Sequence, residues 1–238
     1  MRTYQMMIAL MFIFTVNEAN SSPYPKVDTD LNEYDSKILQ MKSDFEKIPS
    51  NINDKKWVKT KLQFLVDLDQ FTRTRMQIPY QHNYSPDEIQ IAIVEFSKRI
   101  ASIDKENFIE VRSLLKVYEW FTISQFGEKS DKNAWLLVQH FDNESNFQKT
   151  ILAILERLYK INETNPQNYA YLYDRVAASY ADPSKRTLQR YGTQGMCVGP
   201  GLWEPLPIEN PDLVDQRRVE VRLNTLEEYK KVFKDLCH

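Results

Sequence analysis

The chain has 238 residues, 31 Lys plus Arg against 33 Asp plus Glu, and a net charge of −2, so there is no basic field to hold a nucleic acid or an anionic membrane. That length suffices for one substantial core. Only five glycines are present, which argues against a glycine-rich phosphate loop and against an all-β chain with many tight turns.

The N-terminus stands apart. Arg2 precedes the apolar run Met6–Phe14, and small and polar residues follow to Ser22. A charged start and a short apolar segment have the form of a signal peptide, assigned to 1–20 with cleavage after Ala19, although Asn17 fits poorly at the −3 position. The expected compartment is secreted or periplasmic. An uncleaved anchor is the alternative, for which the run is short. No later run is long and apolar enough to span a membrane. Cys197 and Cys237 are the two cysteines; in an exported protein they are free to pair, and their proximity is left open.

Residues 21–27, with Pro23 and Pro25, read as a tether to a helical domain over 28–238. A first helix from Asp28 carries the stripe Leu31, Tyr34, Ile38, Leu39, Met41 and Phe45 and stops at Pro49. A second helix, from Asp54 to about Gln77, sets Asp69 on its apolar stripe with Arg73 one turn later. A surface ion pair is the plain reading; an interior site is the sharper one. Ser85-Pro86-Asp87-Glu88 is a helix start, and Asp104 is read as opening a further helix. Residues 118–129 form a connection containing Gly127.

Trp135 to Gln148 is the most apolar helical run after the N-terminus, and it holds Gln139, His140 and Asp142. With Ser130 or Asp131 as cap and about 100° between successive residues, its apolar groups surround the axis, so burial on all sides is expected. Each buried polar group costs about 1–3 kcal/mol unless partnered. A satisfied core network and a cleft-lining site are both consistent with that. A helix over 145–161 places Gln148 one turn in. Pro166 opens a shorter one, in which Asp174 and Arg175 fall on a face read as solvated.

Four of the five glycines lie between 192 and 201, among several prolines. A strand from Arg186 to Gln194 pairing with Leu202 to Ile208 makes a small hairpin that must pack on the helices. Short helices follow at Pro211 and at Thr225, the latter with a capping-box pattern. The fold class expected is mainly α, with one helical domain and a small β-hairpin in its C-terminal part.

Several ordered motifs together resemble a bacterial family of unknown function. They are Val-Gln-His-Phe-Asp at 138–142, Tyr-Ala-Tyr-Leu-Tyr-Asp-Arg at 169–175, Tyr-Gly-Thr-Gln at 191–194 and Pro207…Asp215…Arg217-Arg218, with Asp69-Gln70-x-x-Arg73 upstream. The similarity covers about 115–230. It implies that these polar residues belong together. It implies no activity. Phe141, where the family tends to a small residue, and the insertion Ala181–Lys185 depart from the pattern.

Zinc is not expected from three histidines with only His140-x-Asp142 grouped, and no cofactor motif is present. A Ser-His-Asp elbow is absent, and nothing marks His140 as base to Cys197. What remains is His140 as general acid or base, with Asp69, Asp142 or Asp174 orienting it. Arg73, Arg175, Arg190 and Arg217 are cations for a small anionic ligand. Gln139, Gln148, Tyr191, Thr193 and Gln194 are neutral binding groups. A hydrolase or transferase on an anionic substrate is the first reading. A non-catalytic exported ligand-binding or interaction protein is the second, and a purely structural network the third.

Overall fold

A computed structural model describes residues 22–237; the leader-like segment 1–20 and the terminal His238 lie outside them. The first helix, α1 (Pro25–Glu46), begins with proline in its first turn and buries Val27, Leu31, Tyr34 and Ile38 on one stripe. It starts three residues before the expected Asp28, so Pro25 to Val27 are helix rather than tether. Helix α2 (Lys55–Thr74) is capped by Asp54, whose carboxylate accepts from the Lys56 N–H. It packs against α1 and against two later helices, Pro86–Leu115 and Glu128–Gln139.

A short turn of helix, α3 (Ile78–Gln81), leads to α4 (Pro86–Leu115), which starts in a full Ser85/Glu88 capping box. The break expected at Asp104 does not occur. No glycine or proline lies near it, and the Asp104 carboxylate bonds across to Arg73 instead of capping.

After the short α5 (Ile123–Phe126), Gly127 turns the chain with φ +82° into α6 (Glu128–Gln139). Ser130 and Asp131 are therefore buried inside this helix rather than capping it. Nor is α6 buried on all sides: Lys132 is exposed, and Trp135 and Leu136 are half-buried. The helix ends at Gln139, so His140 and Asp142 belong to the turn leading into α7 (Ser145–Tyr159). Helix α8 (Pro166–Ala178) is capped by Asn165.

The hairpin is present, shifted from its expected place. Strand β1 is Gly195–Gly199 and pairs antiparallel with β2, Leu202–Pro205. Gly195 lies against the Trp203 ring, where a Cβ would come within 2.3 Å. Arg186–Gln194 is not a strand. Beyond one bridge from Gln189 to Ile208, Arg186 and Thr187 donate to the Pro183 and Ala177 carbonyls, and Arg190, Tyr191, Thr193 and Gln194 donate to side-chain acceptors. A 3₁₀ turn leads to α9 (Val214–Glu220), and α10 (Leu226–Val232) starts with the Thr225/Glu228 capping box. The two cysteines form the Cys197–Cys237 disulfide, which ties the C-terminal turn to β1.

Two apolar clusters fill the fold. One joins α2, the C-terminal half of α4, α6, α7 and α8; the other joins α1, α2 and the N-terminal half of α4; Phe64 packs on both. Among the described residues no helix is long and apolar enough to cross a membrane.

Candidate functional site

The expected site residues fall into three adjoining groups. In the first, Asp69 and Arg73 project from α2, Asp104 from α4, and His140 from the end of α6. Asp69 is 1% exposed, and its Oδ1 lies 2.8 Å from His140 Nδ1 and 2.9 Å from Arg73 Nε. Gln70 donates to its other oxygen at 2.7 Å. Arg73 Nη2 donates to Asp104 Oδ1 at 2.5 Å.

Arg73 Nε also lies 3.0 Å from His140 Nδ1. One nitrogen cannot donate to Asp69 and accept from Arg73 together. The buried carboxylate is the stronger claim on it, so Nδ1 carries the proton and Arg73 bonds Asp69. Nε2 then has no protein partner among the described residues, and the ring keeps 16% of its side-chain surface open.

The two carboxyls of this group are driven apart. Burial pushes Asp69 up, but the His140 hydrogen bond and charge, Arg73 and Gln70 outweigh it and hold Asp69 below the usual carboxylate range. Asp104 is raised by burial, with Asp69 adding to the rise and Arg73 opposing it. Asp69, Asp104 and His140 also place ligand-type atoms within 4.8 Å of one another. Arg73 already supplies the cation between the two carboxylates, so a metal ion would have to displace it.

The second group adjoins through the same turn. Asp142 lies two residues past His140, which keeps their Cα atoms within about 8 Å. It holds Arg175 of α8 bidentately, at 2.9 and 2.6 Å. Arg175 stacks on Tyr180 at 4.5 Å and reaches Gln194 Oε1 at 3.4 Å.

The third group is a loop built on one carboxylate. Asp174 is 0% exposed and accepts the backbone N–H groups of Arg190, Tyr191 and Thr193 at 2.9, 3.1 and 2.8 Å. It does not lie on a solvated face: the loop 190–194 covers that side of α8. Burial raises its pKa, and the three donors work against that rise. It does not approach His140 as an orienting partner; its bonds go to the loop. Arg190 lies over Tyr173 and Tyr191, and its carbonyl accepts from Arg217 Nε at 2.7 Å. Thr193 and Gln194 are buried, with Thr193 accepting from Tyr229 Oη through its carbonyl.

Gln148 closes the C-terminal end of α6 by donating to the carbonyls of Val138 and Gln139, at 3.1 and 3.2 Å. It is a fixed part of the fold, and Gln139 takes part through its backbone. Phe141 is buried against Phe108 and Phe147, filling core rather than lining an open cleft.

Four polar residues, Asp104 half-buried and Asp131, Gln189 and Arg218 buried, matter more than their sequence pattern signals. Asp104, beside the Ile103/Asn107/Val111 stripe, becomes visible only once α4 is taken as unbroken. Asp131 accepts from Trp120, Thr164, Asn168 and the Asn165 N–H, joining three segments. Gln189 donates to the carbonyls of Gln194 and Leu206 and accepts the Gln194 N–H. Arg218, fully buried, donates to the Tyr191 and Asn224 carbonyls.

Residues 63–237 match the profile of a family of unknown function, DUF6624, and the chain belongs to that family. No curated protein and no solved structure matches it.

Proposed function

We propose that this family member is an exported protein in which the Asp69–His140 pair transfers a proton during hydrolysis or group transfer on a substrate bearing an anionic group. One observation carries the reading: a buried carboxylate 2.8 Å from His140 Nδ1, with Nε2 left unpartnered at an open edge. That is the arrangement a general base needs, because the hydrogen bond at one ring nitrogen sets the tautomer at the other. Asp69, kept ionised, orients the ring; Asp104, raised by burial, accepts from Arg73 beside it. Asp142 and Arg175 form a rigid wall, each satisfied by the other. The leader-like segment and the disulfide support export, since disulfides persist in oxidising compartments.

The test is a panel of phosphoester, peptide and glycoside substrates. Turnover of one class is expected, lowered about 100-fold or more in His140→Ala and in Asp69→Asn with the helical fold retained. Turnover that survives His140→Ala contradicts the proposal. A second reading, binding without turnover, draws on the neutralisation of Arg73 and Arg175 by fixed carboxylates. Stoichiometric ligand binding with no turnover would favour it.

A further inference from the structure

Arg73 faces two ways. On one side it meets Asp69, Asp104 and His140; on the other it borders an open depression of about 580 Å³ at the end of α2. That depression is lined by Arg73, Thr74, Arg75, Gln77, Ile78 and Gln81. Two cations line it and no carboxylate does.

The cations differ in what they already hold. Arg73 is committed to Asp69 and Asp104, although its Nη1 bonds nothing among the described residues. Arg75 has no acidic partner among them. Its guanidinium lies over the Phe71 ring at 4.3 Å, and its Nε is buried without a hydrogen-bond acceptor. An arginine stacked on an aromatic ring is held flat and presents its fork to an oxyanion with little further loss of freedom. The Thr74 hydroxyl already donates to the Phe71 carbonyl. The Gln77 and Gln81 amides, by contrast, have no side-chain partner among the described residues.

We propose that this depression is an anion subsite for a phosphate group, with Arg75 as its principal cation and Arg73, Gln77 and Gln81 as further donors. A phosphate offers more acceptor positions than a carboxylate, and this set of donors is larger than a carboxylate uses. The assignment rests on the reading of the Asp69–His140 pair as functional and names the anionic group of its substrate. Arg73, touching both, would set the phosphate beside the ring. Among the motif arginines, Arg175 is held by Asp142, and Arg190, which like Arg75 has no acidic partner among the described residues, lies over Tyr173 and Tyr191 and does not line this depression.

The test is calorimetric titration of the full chain with inorganic phosphate, and separately with acetate. Saturable phosphate binding is expected, weakened about tenfold or more in Arg75→Gln. Arg75→Lys, which keeps the charge and loses the fork, should fall between, and it serves if Arg75→Gln does not fold. Acetate should bind about tenfold more weakly than phosphate. No saturable phosphate binding, binding unchanged in Arg75→Gln, or acetate binding as strong as phosphate would each overturn the subsite. Phosphate binding that depends on Arg75, with no turnover on any substrate, would instead count against the catalytic reading alone.

Discussion

Asp69 is a carboxylate placed where burial should disfavour it, yet three side chains hold it ionised. Replacing it by Asn removes the charge that Arg73 and His140 both use. Because Arg73 remains 30% exposed, the cost is set at about 2 kcal/mol rather than the full penalty of breaking a buried pair. Urea unfolding checks this; an unchanged midpoint would contradict it. The pH dependence has a definite sign. A carboxyl whose folded pKa is depressed contributes stability above its unfolded value and loses it as pH falls through the folded value. The stability gap between the parent chain and Asp69→Asn should therefore shrink as pH falls from about 5 to about 3. A gap that widened over that range would refute the assignment. At this scale the i, i+4 spacing of Asp69 and Arg73 was readable, because both stand on the same stripe. Asp104 was not, because its relevance depends on α4 crossing α2 at that level.

Between elements, the loop at 190–194 draws its shape from Asp174. Its N–H groups bond a carboxylate on α8 instead of a neighbouring strand. Asp174→Ala leaves the buried Tyr191 and Thr193 N–H groups and the half-buried Arg190 N–H unpaired and should cost about 3 kcal/mol, read as a fall in unfolding free energy. It should also increase amide exchange at Arg190, Tyr191 and Thr193 while leaving α1 unaffected. Uniform exchange across the chain would contradict that. This loop explains why alternation in 186–194 misled: side-chain acceptors replaced the ladder that alternation normally signals. The helix starts at Ser85, Pro166 and Thr225 were legible because capping and proline chemistry are local. The end of α6 was not, since it depends on Gln148 reaching back from α7.

For the molecule as a whole, the Cys197–Cys237 disulfide closes 40 residues that include the hairpin, α9 and α10. A loop of that length corresponds to about 4 kcal/mol in the chain-entropy account. Reduction should lower the unfolding midpoint accordingly, and an unchanged midpoint in reductant would show that the C-terminal part is held by packing alone. The helical class and the presence of a hairpin could be read from periodicity and from the glycine cluster. The meeting of α2, α4 and the end of α6 could not, because helix crossings leave no mark in a single sequence. The family match begins inside α2, at residue 63; α1 lies outside it, whereas Leu68, Ile78, Tyr84, Ala92, Phe96 and Ile103 of the apolar cluster beneath α1 lie within it.

The ring nitrogen of His140 that carries the proton decides whether Asp69 orients the imidazole for proton transfer. Nitrogen-15 NMR of the imidazole in the full chain at neutral pH reads this directly. A proton on Nδ1, with Nε2 unprotonated and shifting when the depression at Arg75 is filled by phosphate, is the predicted result. A proton on Nε2 in the neutral ring would mean that Asp69 does not orient His140, and the proton-transfer reading would fail with it.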